Sequence, residues 1–168
     1  MTAAEDRVVA GLREAILTEE YGAQFYSVTA ANTRDEQGRE VFAQLGREEE
    51  LHRQWLVRQY GRAQAGQEFE PLSAPHAELV GPNPIFSDKL KQRIGEAHWE
   101  MTALAVGLTL EQATIERYRA MALASTSQAA RSFFDELVVW EESHADALRR
   151  QHNSLLESYW NEARFAPF

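Results

Sequence analysis

The 168-residue chain contains no cysteine, which excludes disulfides, iron–sulfur clusters and thiolate zinc sites. No stretch approaches the roughly 20 apolar residues that a membrane-spanning helix needs. The most apolar segment, Met101 to Leu110, is short and runs straight into Glu111. Residues Met1 to Asp6 lack the basic start and apolar run of a secretory signal, so a cytoplasmic location is expected. Lys and Arg form no basic stripe and the formal net charge is −9, which argues against a nucleic-acid partner. No proline precedes Pro71, and no β-branched alternating run occurs anywhere. Helices are therefore expected in place of strands.

What the chain does have is enough apolar material for a core: 44% hydrophobic residues, with 10% aromatics, in a length that suits one domain over residues 1–168. Residues 4–32 carry Leu12, Ile16, Ala23 and Tyr26 at helical spacing. A turn follows at Asn32 to Asp35, with Thr33 or Asp35 as the N-cap of a second helix. That helix shows the stripe Phe42, Leu45, Leu56 and is expected to stop near Tyr60, at Gly61. Periodicity then disappears. Pro71, Pro75, Pro82 and Pro84, with Gly66 and Gly81, mark a connection over about 61–95, long enough to cross from one end of a bundle to the other. Within it Ser87 and Asp88 could cap a short helix that Gly95 interrupts. A third long helix is expected over about 96–124, a turn at Ser125 to Ser127, and a fourth helix from Gln128 into the 150s. The tail, 153–168, is aromatic (Tyr159, Trp160, Phe165, Phe168) and is expected to pack on the bundle or a subunit neighbour, with a recognition peptide as the alternative.

An internal repeat organises all of this. Shifted by 92 positions, residues 4–60 lie over 96–152 without a gap, and 13 of the 57 aligned pairs are identical. Glu19 falls on Glu111, Tyr26 on Tyr118, Glu49 on Glu141 and His52 on His144; Leu12, Phe42, Leu45 and Leu56 fall on Leu104, Phe134, Leu137 and Leu148. The chain thus predicts an all-α antiparallel four-helix bundle made of two helical hairpins. Each of the four glutamates lies 15 residues from the centre of its own hairpin turn, about 22 Å along a helix. All four can therefore meet at one level. They also continue the apolar stripes: Phe42, Leu45, Glu49, His52, Leu56 on one helix and Phe134, Leu137, Glu141, His144, Leu148 on another. Residues i and i+3 share a face, so each Glu-x-x-His presents a carboxylate and an imidazole inward. The neighbouring Glu48, Glu50 and Glu142, about 100° per residue off the stripe, are expected nearer solvent.

Four ionised carboxylates in an apolar interior need compensation, and two divalent cations supply it. Carboxylate oxygen with imidazole nitrogen suits iron or manganese, and zinc can substitute. A single Glu-x-x-His is weak grounds for a ligand pair, but two of them, each preceded at 30 residues by an inward Glu, point to a di-metal site.

These residues resemble the ferritin-like di-iron carboxylate proteins, closest to the rubrerythrin-like branch, over both hairpins; Ala15 to Glu19, Phe25-Tyr26 and Glu49-Glu50-Leu51-His52 carry the likeness. The resemblance implies two iron ions, with Glu19 and Glu111 as terminal carboxylates, Glu49 and Glu141 as bridges, and His52 and His144 capping one metal each. It also implies that Tyr26 and Tyr118 hydrogen-bond to ligand carboxylates across the bundle. The chain departs from rubrerythrins proper in having no cysteine-bearing rubredoxin module, so electrons would come from a separate donor. Thr114 stands where those proteins carry an extra Glu, and its repeat mate is Gly22. Bacterioferritins place a haem-binding Met where this chain has Glu50, so no haem is expected. The expected activity is a redox reaction with peroxide or dioxygen. The alternatives are Fe(II) oxidation for storage or detoxification, and oxygenation of an organic substrate. A homodimer is expected, as is common in the family.

Overall fold

Among the described residues, four long helices and one short one form in chain order: α1 (Ala3–Asn32), α2 (Glu36–Gln64), α3 (Asp88–Lys91), α4 (His98–Ala124) and α5 (Gln128–Glu162), with a 3₁₀ turn at Ile94–Glu96 before α4. The computed structural model describes residues 3–72, 85–92 and 94–162, and among these no strand is present. The fold is the all-α, ferritin-like bundle expected from the sequence.

Local chemistry sets the boundaries. Asp35 caps α2, accepting a hydrogen bond from the Gly38 N–H at 3.0 Å. It also accepts one from the Ser87 N–H at 3.1 Å, so one side chain ties the first hairpin turn to the far end of the crossover. Gly61 does not stop α2. The helix runs one turn further, because the left-handed conformation that ends it is taken by Gly66, at φ +66°. The short helix after Ser87 ends at Lys91, before Gly95, which lies instead in the 3₁₀ turn Ile94–Glu96.

The crossover is gripped at both ends by residues 92 positions apart. Gln59 at the end of α2 donates to the Glu70 carbonyl at 2.9 Å and accepts from the Glu70 N–H at 3.0 Å. Gln151 on α5 accepts from the Ile85 N–H at 2.7 Å. Phe69 then packs edge-on against Phe134, while Phe86 packs against Phe42. The two anchors lie at opposite ends of the bundle, as a crossover requires. Residues 73–84 lie outside the described residues, as do Phe165 and Phe168 of the tail. Tyr159 and Trp160 belong to α5, and Tyr159 packs against the apolar cluster at that end.

The core is two apolar clusters with a polar layer between them. One holds Leu12, Leu56, Tyr118, Phe133, Phe134 and Leu137 near the α4–α5 turn; the other holds Tyr26, Phe42, Leu45, Phe86, Leu104 and Leu148 near the α1–α2 turn. Each is closed to water and closely packed. At Gly38 an added Cβ would lie 2.2 Å from a Phe86 ring carbon, whereas at Gly61 it would meet nothing within 4 Å. Two opposite outcomes follow. Gly38→Ala should destabilise by about 1–3 kcal/mol through overpacking, and Gly61→Ala should stabilise by up to about 1 kcal/mol through helix propensity. Denaturant midpoints, measured at one fixed metal content, check both.

Candidate metal centre

Between the two clusters α1 contributes Glu19, α2 Glu49 and His52, α4 Glu111, and α5 Glu141 and His144. All six are buried, none more than 4% exposed. The six residues expected from the sequence therefore meet at one level, as the equal distances from the turns require.

They fall into two overlapping groups. Glu19, Glu49, His52 and Glu141 each offer one ligand atom within 4.8 Å of the others, and so do Glu49, Glu111, Glu141 and His144. Glu49 and Glu141 belong to both. His52 Nδ1 lies 2.8 Å from Glu141 Oε1 and 3.6 Å from both Glu19 Oε2 and Glu49 Oε2. His144 Nδ1 lies 3.3 Å from Glu141 Oε2, 3.4 Å from Glu49 Oε1 and 3.9 Å from Glu111 Oε2. Short as some of these distances are, they lack hydrogen-bond geometry. Glu19 Oε2, Glu49 Oε1, both Glu141 oxygens and His52 Nδ1 are buried with no hydrogen-bond partner. Buried polar atoms in native proteins are normally satisfied. Five such oxygen and nitrogen atoms converging on one spot fit a site for cations, which accept lone pairs where no donor is available.

The outer oxygens are held from across the bundle. Tyr26 on α1 donates its phenolic O–H to Glu111 Oε1 on α4, and Tyr118 on α4 donates to Glu19 Oε1 on α1. Burial, and then the charge of the bonded glutamate, hold both phenols well above their ordinary range, so each keeps its proton. Gly107 lets α4 approach α1 here, since an added Cβ would sit 3.2 Å from Tyr26 Oη.

One expectation fails. Glu48 was placed towards solvent, beside Glu50 and Glu142. Those two are partly exposed, but Glu48 is only 8% exposed and contacts His144 Nε2 at 2.8 Å. A rotation of about 100° from the inward stripe leads to solvent on an isolated helix, but in the bundle it leads to the neighbouring α5. Gln44, one turn earlier on α2, donates to the other Glu48 oxygen at 3.0 Å.

Comparison with models of known protein families matches the chain to Rubrerythrin over residues 11–152. The chain belongs to the rubrerythrin family. That span includes all six clustered residues and both tyrosines. Comparisons with curated proteins and with solved structures gave no match. Among the described residues, no helix is long and apolar enough to cross a membrane.

Without cations the cluster balances its charge with protons. Burial, and then the charges of Glu49 and Glu141, raise Glu19 and Glu111 well above the carboxylate range. Burial opposes charge on His52 and His144, yet the glutamates around them hold both well above the usual imidazole range. Glu49 and Glu141 are lowered despite burial, because the two histidines and, for Glu49, the adjacent Glu19 favour their ionised forms. The four raised groups bind protons more tightly in the folded chain than in the unfolded one. Stability from them falls as pH climbs from each unfolded value, about 4.3 for Glu and 6.5 for His, through the folded value. The two lowered groups act oppositely and lose their contribution only as pH falls through their folded values. The metal-free protein should therefore lose thermal stability as pH rises above neutral, while two divalent cations replace those protons, so the gain in Tm on metal addition should grow with pH. Calorimetry in buffers of different ionisation enthalpy should show net proton release on metal binding; a pH-independent gain would contradict this balance.

Proposed function

We propose that the chain is a di-iron redox protein that reacts with peroxide or dioxygen, taking electrons from a separate donor. The observation that carries this reading is the pair of ligand groups sharing Glu49 and Glu141, with inward oxygens of Glu19, Glu49 and Glu141 unpartnered, in a chain of the rubrerythrin family. In this reading Glu19 and His52 would hold one iron, Glu111 and His144 would hold the other, and Glu49 and Glu141 would serve both. Manganese or zinc can occupy the same donors, and metal supply decides between them. Bound iron would supply the two electrons that cleavage of a peroxide O–O bond consumes.

The protein's own residues orient and protect. The apolar clusters above and below the polar layer exclude water and hold the carboxylates in place, so that little reorganisation is needed as charge changes. Tyr26 and Tyr118 fix the outer glutamates by hydrogen bonds to one oxygen of each, which leaves the second oxygen free to face a metal. They also keep a phenolic proton at the edge of the site, where reduced oxygen species need protons. Because the chain carries no cysteine, no thiolate relay of its own can feed the site, and the donor is a second protein or small molecule.

Metal analysis tests the ligand set: the unmodified protein should hold about two metals per chain, and Glu49→Ala or Glu141→Ala, each removing a donor shared by both groups, should abolish occupancy. Retained binding in either variant would reject the assignment. Stopped-flow oxidation of the Fe(II) form by peroxide and by dioxygen then ranks the reaction against Fe(II) storage. A storage protein would favour dioxygen, take up many irons per chain and elute as a large hollow assembly, whereas the reading here expects a homodimer.

A further inference from the structure

The 92-residue correspondence holds at all six positions of the cluster but breaks beside the two histidines. Glu48, which precedes Glu49, corresponds to Trp140, which precedes Glu141; Trp55, three residues after His52, corresponds to Ala147. The structure puts both differences against an imidazole ring. His144 meets a carboxylate at Nε2, Glu48 Oε2 at 2.8 Å, and that carboxylate is steadied by Gln44. His52 is flanked by indoles, with Trp140 stacked at 5.5 Å and Trp55 at 5.8 Å between ring centroids. The two indoles also pack against each other at 4.8 Å.

We infer that the two metal positions are unequal, Glu48 making the His144 position the tighter and the Trp55–Trp140 wall leaving the His52 position the more labile. This rests on the di-metal reading above and goes beyond it, naming Glu48 as a positioning residue. With Nδ1 of His144 facing the cluster, the proton of the neutral ring is on Nε2 and is donated to Glu48. That hydrogen bond fixes the tautomer and the ring's direction, and it raises the basicity of Nδ1. A buried anion near the bound cation adds attraction that water screens little. Around His52 the corresponding position supplies an apolar ring with no formal charge. It fixes the ring plane by packing. Of two otherwise matched half-sites, the His144 half should fill first and empty last.

Titration of the metal-free protein with Co(II), followed by calorimetry and by hyperfine-shifted proton resonances, tests this. Two steps are expected, and the first equivalent should bring up a shifted, slowly exchanging imidazole N–H resonance from His144. Mutual repulsion of two cations would also separate the steps, so the variants decide. Glu48→Gln should weaken the first step about 10–100-fold and leave the second much less changed. His52→Gln should keep the tight step and lose the weak one, and His144→Gln should do the reverse. Equal effects of Glu48→Gln on both steps, no effect on either, or equal hyperfine signals from both histidines at one equivalent would overturn the inference. If Glu48→Gln fails to fold, as judged by circular dichroism, the unmodified protein's resonances and the two histidine variants still decide it. Failure of the unmodified protein to bind Co(II) at all would instead overturn the di-metal reading.

Discussion

Four carboxylates enclosed at one level of a helical bundle are the constraint on which the rest of the structure depends. Taking one ionised carboxylate out of water costs several kcal/mol even after the protein relaxes, and here four fall into two overlapping groups, within each of which ligand atoms lie within 4.8 Å of one another. Such a layer persists only with compensating positive charge. Protons on His52, His144, Glu19 and Glu111 can provide it, and so can two divalent cations. Inward oxygens of Glu19, Glu49 and Glu141 lack hydrogen-bond partners, a defect that cations would remove. The bundle around the layer is arranged to keep the charges there: apolar clusters on both sides, tyrosines locking the outer glutamates, and a crossover sealing each end through Phe69 and Phe86.

Much of this was legible in the sequence because the repeat converts spacing into height. Equal separation of Glu19, Glu49, Glu111 and Glu141 from their turns fixes a common level without any knowledge of helix packing. Their place on the apolar stripes fixes direction. The long connection was legible from its prolines, and its role from the need to join two antiparallel hairpins. The partners of Tyr26 and Tyr118 came from family resemblance and not from spacing, since nothing along one helix says which residue of another it touches.

Glu48 was missed for a related reason. Periodicity sorts residues of an isolated helix into inward and outward, but a bundle helix has two flanks that face neighbours, and the flank of α2 carrying Glu48 faces α5. Two signals pointed that way. Gln44 and Glu48 form a polar pair one turn apart, and the corresponding residue in the second repeat is Trp140, an indole that is rarely left in water. Gly61 misled in a simpler way. A glycine ends a helix only where the chain needs positive φ, and here that need falls at Gly66.

The resulting picture is a site whose ligands are near-symmetric and whose surroundings are not. Its central claim is that two metals share Glu49 and Glu141. Anomalous diffraction at the iron edge from crystals of the Fe(II)-loaded protein tests this most directly. The account predicts two peaks about 3.5–4 Å apart, both contacted by Glu49 and Glu141, with one beside His52 and one beside His144. A single peak, or peaks away from these carboxylates, would contradict it.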